Sequence, residues 1–400
     1  MDIKNRLDPY IVLPLIFLSI FGLIVLFSVV YSDNIIIFYR QLIWFFLSLL
    51  LFIGIQFIPI KVFYIGSYLL YFFSIFLLVF LKLINKAPVE RWFDFGIAYI
   101  QPSEFAKVSL ILALPKFLLS RKEKKDNFIT LFVSYIMVLI PFFLVFVQPD
   151  LGTSILFLII LFLVLFINDT KLINLFILLT PILSIIFSFF PIVWIIYLFV
   201  ISFILYFAKV DFINLLKIFF LNIIFGGVAP IVWNSLRDYQ KNRFLSYLSP
   251  EKDVHGYGWN LLQSKIGIGS GGIFGKGFLN GTQKGLNFVP QQHTDFIFSA
   301  VGEEFGFVGY ILILILIFII IFRVFFNLNK IKSKYTKLVV SSFTFFIVFE
   351  YIINISMSIG LVPIVGVPLP LFSYGGSSYI TTMIMFAIIN RGLNEKDKYW

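Results

Sequence analysis

Residues 289–322 read VPQQHTDFIFSAVGEEFGFVGYILILILIFIIIF. The apolar part exceeds the roughly 20 residues that a helix needs to cross a hydrocarbon core, which makes the segment a membrane span. Its entrance carries His293, Thr294 and Asp295, and Glu303 and Glu304 fall within its first turns. Lipid offers such groups no partner, so they face a bundle interior or a cavity. At helical spacing Asp295, Ser299, Gly302 and, less closely, Glu303 share one face, with Glu304 nearly opposite.

The rest of the chain has the same character. With 60% hydrophobic and 13% charged residues, it is excluded from the ordinary soluble domains and expected to fold as an all-α polytopic membrane helix bundle, one integral membrane domain over 1–400. Apolar segments near 9–31, 39–57, 62–83, 103–119, 129–147, 152–168, 172–190, 192–207, 213–233, 296–322, 338–358 and 376–390 predict twelve spans. Lys4 and Arg6 ahead of an apolar run resemble a signal peptide, but 9–31 is too long for one and is read as the first span. The chain has no Cys, which excludes disulfides and Cys-ligated metal. Two His without an HExxH pattern give no basis for a His-based metal centre.

Short-loop Lys and Arg orient the spans. With the N-terminus cytoplasmic, the basic segments 120–127 and 323–337, Lys171, Lys209 with Lys217, and the C-terminal tail all lie inside. Lys86 and Arg91 fall outside as a minority. The region 172–233 must then hold an odd number of spans. Four polar or Gly-rich clusters collect on the external side: 85–104, QPDLGT (148–153), the loop of about 234–294, and 360–378. Four segments meeting at one water–lipid boundary predict a shared site.

Within those clusters Asp295 is the candidate general base, partly desolvated yet reachable. Its plainer reading is an acid favoured by a helix dipole, by roughly 0.3–1 kcal/mol. In QPSEFAK, Glu104 and Lys107 stand three apart and can pair on one helix, either to neutralise one another or to meet substrate. From Arg237 to Lys284 seven basic residues face three acidic ones, an excess suited to an anionic partner at the membrane surface. Gly267, Gly269 and Gly272 match GxGxxG without the strand–turn–helix unit a dinucleotide needs, although Gly-rich backbone can form N–H nests for phosphate. Residues 259–268, WNLLQSKIGI, have the mixed pattern of an interfacial amphipathic helix.

The motifs ERWFDFG…QPSEFAK, QPDLGTSILF, the long loop through QQHTDFIFSAVGEEFGFVGY, and PLPLFSYGGSSY resemble the SEDS family of bacterial cell-wall polymerases (shape, elongation, division and sporulation). GKGFLNGTQ and QQHTDFIFS are more similar to its elongation branch than to its division branch. The resemblance implies a peptidoglycan glycosyltransferase of the bacterial cytoplasmic (inner) membrane. It would polymerise lipid II, an undecaprenyl diphosphate-linked disaccharide-peptide, during elongation and rod-shape maintenance. It implies a class B penicillin-binding protein and the elongation machinery as partners, and no nucleic acid. It makes Asp295 the catalytic acid and Glu104 and Lys107 cavity residues. It also implies ten spans where twelve are counted, the surplus lying between 172 and 233.

On that reading Asp295 takes the proton of an acceptor hydroxyl for a direct, inverting displacement, with His293 and Thr294 beside it in the substrate site. Arg243, Lys265, Lys276 and Lys107 are the candidate cations for the departing diphosphate. A divalent cation is compatible with this chemistry, although the sequence contains no dedicated site. The rival readings are a transporter (flippase) for lipid-linked precursors, a division-specific homologue, and a noncatalytic scaffold. Against transport stand the absence of an inverted repeat and of interrupted helices in corresponding halves, and the gathering of polar residues at one face.

Overall fold

The structure, a computed structural model, describes residues 6–32, 34–84, 91–96, 99–121, 127–236, 241, 246–247, 257–282 and 293–395. Among the described residues thirteen helices and one two-stranded hairpin account for the regular structure. The first six helices are α1 (Pro9–Val30), α2 (Ile35–Ile55), α3 (Ile60–Ile84), α4 (Pro102–Ser120), α5 (Phe128–Val147) and α6 (Leu151–Ile167). Between α3 and α4 lie β1 (Phe93–Asp94) and β2 (Tyr99–Ile100), antiparallel with Phe93 opposite Ile100. Then come α7 (Leu172–Phe187), α8 (Pro191–Phe207), α9 (Phe212–Ser235), α10 (Tyr257–Ser270), α11 (Ile297–Leu328), α12 (Lys334–Ile359) and α13 (Gly376–Leu393).

All helices but α10 coincide with the expected spans. Seven, namely α1, α2, α3, α5, α9, α11 and α12, are long and apolar enough to cross a membrane, while α6, α7 and α8 are shorter apolar helices. The remaining two, α4 and α13, are more polar because they sit inside the bundle. Glu104, Lys107 and Ser109 of α4 are buried, as are Ser377, Thr381, Thr382 and Asn390 of α13. Peripheral helices show the converse: α8 turns Ile192, Ile196, Phe199 and Phe203 outward, an apolar stripe that hydrocarbon can cover.

The region 172–235 holds three helices, an odd number. They pack on one another, with α7 also against α6. A buried polar hub welds them. Asn222 donates from Nδ2 to Thr180 Oγ1 at 3.0 Å and accepts at Oδ1 from the Tyr197 hydroxyl at 3.1 Å. Ser184 donates to the Asn222 carbonyl at 2.7 Å and accepts from Trp194 Nε1 at 2.8 Å.

Two expectations about the span after Asp295 change. First, α11 begins at Ile297 with Phe296 as its N-cap. Asp295 therefore precedes the helix in a turn and does not share a helical face with Ser299. Second, α11 is interrupted at Gly306, with φ 62° and ψ −157°, a conformation open to glycine and strained for other residues. The break frees backbone groups that lipid cannot satisfy, and the segment after α10 satisfies them. Lys276 N–H and Gly277 N–H donate to the carbonyls of Glu303 and Glu304, while Phe307 N–H and Val308 N–H donate to those of Gly272 and Ile273. The Gly-dense run is thus a backbone splint for a broken helix, and the N–H groups of Lys276 and Gly277 are spent there instead of in a phosphate nest.

Candidate active site

A pocket of about 470 Å³ opens where the N-terminal ends of α4, α6, α11 and α13 converge. Its wall takes Arg91, Trp92 and Tyr99 from the hairpin region, Gln101 and Glu104 from the cap and first turn of α4, and Asp150 and Thr153 from the cap and first turn of α6. His293, Thr294 and Asp295 come from the approach to α11, Gly366, Pro368 and Tyr374 to Ser378 from the approach and entry to α13, and Trp44 from α2. All four polar clusters of the sequence contribute. Because alternate helices run antiparallel, the three helices over 172–235 return the chain to the end where α4 and α6 begin.

Four helix N-termini converge on this space, each bringing about half a positive charge, against the carboxylates of Glu104, Asp150 and Asp295 on the same wall. Arg91 adds a full charge. Its guanidinium lies 3.6 Å from Asp150 Oδ1 and donates to the Pro149 carbonyl. Asp150 caps α6 by accepting from Thr153 N–H at 3.3 Å and Thr153 Oγ1 at 2.9 Å, and also takes Gln101 Nε2 at 3.1 Å. QPDLGT is therefore a cap that holds an arginine at the pocket wall.

The segment 293–295 is gripped through its backbone. Tyr374 N–H donates to the His293 carbonyl at 2.9 Å, Ser373 Oγ to that of Thr294 at 2.6 Å, and Asn354 Nδ2 to that of Asp295 at 3.0 Å. Asn354 Nδ2 also reaches the Val367 carbonyl at 2.8 Å, tying α12, the loop before α13 and Asp295 together. The side chain of Asp295, half-buried, faces the pocket from a fixed turn.

At the floor Glu104 reaches the pocket while Lys107 lies one turn deeper. The expected pair is present: Lys107 Nζ is 2.9 Å from Glu104 Oε1. A third member, Glu350 of α12, stands 2.8 Å from the same ammonium. Glu350 and Asn354 were not singled out from the sequence, where each is a lone polar residue inside an apolar helix.

Two of the other expected cations, Lys276 and Lys265, lie elsewhere. Lys276 is bound to Glu303 at 2.8 Å. The exposed Lys265 on α10 rests near Gly360, where a Cβ would stand 2.6 Å from Nζ. Neither lines the pocket. Arg243 is outside the described residues. The stretch expected to be an amphipathic helix is α10, which packs on α11 and α12 and buries Leu261, Gln263 and Ser264.

Comparison with known proteins follows the same outline. The family model FTSW_RODA_SPOVE, described as cell cycle protein, matches residues 9–200 and 193–398. The peptidoglycan glycosyltransferase MrdB of Escherichia coli K12 is 33% identical over 390 residues, 96% of this chain and 93% of that one. The chain belongs to the SEDS (FtsW/RodA/SpoVE) family. Another member, the peptidoglycan glycosyltransferase RodA of Treponema pallidum, is 30% identical over 88% of each chain. Among solved structures, a chain from a peptidoglycan synthase complex that coordinates polymerization and crosslinking superposes with a TM-score of 0.72 at 26% identity, over 98% of this chain and 99% of that one. The rod shape-determining protein RodA of Thermus thermophilus shares the fold, with a TM-score of 0.64 at 24% identity over 98% of each chain. For this SEDS protein the resemblance read from the motifs therefore holds along the chain.

Proposed function

We propose that this chain is a peptidoglycan glycosyltransferase that polymerises lipid II, with the pocket as its site and Asp295 as its general base. The observation that carries the reading is a half-buried carboxylate on the wall of a pocket built from four helix N-termini and an arginine. Such a pocket suits a sugar carried on a diphosphate: the diphosphate at the anion-favouring ends, the acceptor hydroxyl at the acid. The lipid tail would remain in the bilayer beside it. In this reading the pocket opens on the external face, both termini are cytoplasmic, and the membrane is the bacterial inner membrane. The product would be crosslinked by a class B penicillin-binding protein within the elongation machinery.

Asp295 accepts the proton of the acceptor's GlcNAc C4 hydroxyl as that oxygen attacks the anomeric carbon of the donor MurNAc. The C–O bond to the diphosphate breaks, and its electron pair leaves with undecaprenyl diphosphate. A single carboxylate and one displacement invert the anomeric centre. Charge growing on the departing diphosphate meets the helix N-termini and Arg91, which are oriented before the reaction and need no reorganisation. In this reading Arg91 takes the role expected of Lys265, Lys276 and Lys107, beside Arg243, which lies outside the described residues.

The test is polymerisation of fluorescent lipid II by the purified chain in liposomes containing moenomycin. Glycan from the wild type and none from folded Asp295→Asn supports the reading. Near-normal polymer from Asp295→Asn removes the residue from catalysis. Lipid II crossing the bilayer without polymer, seen as a change in accessibility to an external quencher, favours the transporter.

A further inference from the structure

Three charged side chains meet beneath the pocket. Lys107 Nζ lies 2.9 Å from Glu104 Oε1 and 2.8 Å from Glu350 Oε1, and the three residues are 1%, 4% and 3% exposed. One ammonium faces two carboxylates, so the cluster is one positive charge short of neutral when all three are ionised. Of the three, Glu104 alone lines the pocket. Its second oxygen lies 3.1 Å from Thr381 Oγ1, a hydroxyl that also lies 2.9 Å from the Ser377 carbonyl. Glu350 reaches the site only through the lysine, from α12, and the Phe346 ring 5.5 Å from Nζ fills another side of the ammonium.

A buried carboxylate that cost several kcal/mol to desolvate is not needed to hold Lys107, because Glu104 already pairs with it. What the second carboxylate changes is how much of the ammonium's charge Glu104 receives. With Glu350 present the lysine is shared, and Glu104 keeps part of its negative charge toward the pocket. Glycosyl transfer places positive charge on the donor's anomeric carbon in an oxocarbenium-like transition state. A residual negative charge in the wall, fixed and poorly screened, stabilises that state more than the uncharged ground-state carbon.

We propose that Glu350 is a positioning residue for the glycosyl transfer, acting by sharing Lys107 so that Glu104 presents residual negative charge to the reacting sugar. The inference rests on the glycosyltransferase reading above.

The test compares Glu350→Gln and Glu350→Asp with the wild type in the lipid II assay, with separate measurement of lipid II binding and thermal unfolding. Glu350→Gln keeps the shape and the hydrogen bond to Nζ but lets Glu104 be fully neutralised. Its kcat is expected to fall about tenfold or more with KM and lipid II binding within about twofold, the pattern of a lost transition-state interaction. Glu350→Asp, which restores the charge, is expected to recover part of kcat. Unchanged kcat in Glu350→Gln overturns the proposal. So does an equal loss of kcat in both variants that tracks a loss of lipid II binding or a lowered unfolding temperature, since a packing defect would produce that. Should the wild type bind lipid II without polymerising it, the function assigned above fails, and not the role of Glu350 alone.

Discussion

Lys276 meets Glu303 twice: its ammonium lies 2.8 Å from Oε1, and its backbone N–H donates to the Glu303 carbonyl at 2.8 Å. The same carboxylate oxygen takes Thr282 N–H at 2.7 Å and Thr282 Oγ1 at 2.8 Å. Glu303 is therefore a fastener between the splint and the broken helix. Its side chain is 1% exposed and that of Lys276 28%, so removing the lysine takes the ammonium at 2.8 Å away from a buried carboxylate. Lys276→Met is expected to lower stability by about 3 kcal/mol. Glu303→Gln should cost less, because a neutral amide needs no counter-charge. Thermal unfolding in detergent, with limited proteolysis at 271–282, checks both. Equal stability of Lys276→Met and the wild type would show that the splint holds by its backbone bonds alone.

Gly275 sits inside that splint at φ 78°, and a Cβ built on it would stand 2.1 Å from the Glu304 carbonyl oxygen. Gly275→Ala therefore meets two penalties, about 1–2 kcal/mol for the left-handed backbone and a clash with rigid main chain. Gly269, in α10, has nothing within 4 Å of its Cβ position. Gly269→Ala should be neutral or stabilise by roughly 0.5–1 kcal/mol. The pair is read out as the yield of monodisperse protein and its unfolding temperature; similar behaviour of the two variants would count against the splint.

The polar hub among α7, α8 and α9 is remote from the pocket, which makes it a control for stability without chemistry. Asn222→Ala removes the Nδ2 bond to Thr180 and the bond from Tyr197. At about 0.6–1.7 kcal/mol for an interhelical hydrogen bond in a membrane, the variant should lose roughly 1–3 kcal/mol and keep its glycan synthesis. Loss of synthesis at full stability would tie these three helices to the reaction.

The sequence made the bundle and the site's neighbourhood legible for a physical reason. Pro, Gly and polar residues cannot continue an apolar span, so QPSE, QPDLGT, HTD and SYGGSS mark the positions where helices start. Helices that start at one end bring those marks together. The pairing of Glu104 with Lys107 followed from their three-residue separation on one helix. Glu350 was hidden because its partner is remote in sequence, and nothing in IVFEYII says which helix it faces. Gly306 sits among the apolar residues of FGFVG, and a glycine there is as compatible with close helix packing as with a break. The role of Asp295 as a residue before α11 depends on where Phe296 caps the helix, and the apolar periodicity carries no such information. Arg91 entered only as a charge against the inside rule, although its distance from Asp150 makes it a pocket residue.

Arg91 then provides the sharpest test of the pocket's electrostatics. Its guanidinium donates to the Pro149 carbonyl and stands 3.6 Å from the Asp150 carboxylate, both at the cap of α6, which sets the direction of the fork. Lysine keeps the charge but has no planar fork, and one ammonium cannot hold that anchor and a diphosphate oxygen in the same geometry. Arg91→Lys is therefore expected to fold and to lose about 10–100-fold in kcat/KM for lipid II. Arg91→Ala also leaves Asp150 without its cation, adding a negative charge where the diphosphate departs, and should fall further still. Steady-state polymerisation with both variants, alongside their unfolding temperatures, separates the two effects. Full activity in Arg91→Lys would mean that charge alone suffices at this wall, and equal activity in Arg91→Ala would move the diphosphate to another part of the pocket.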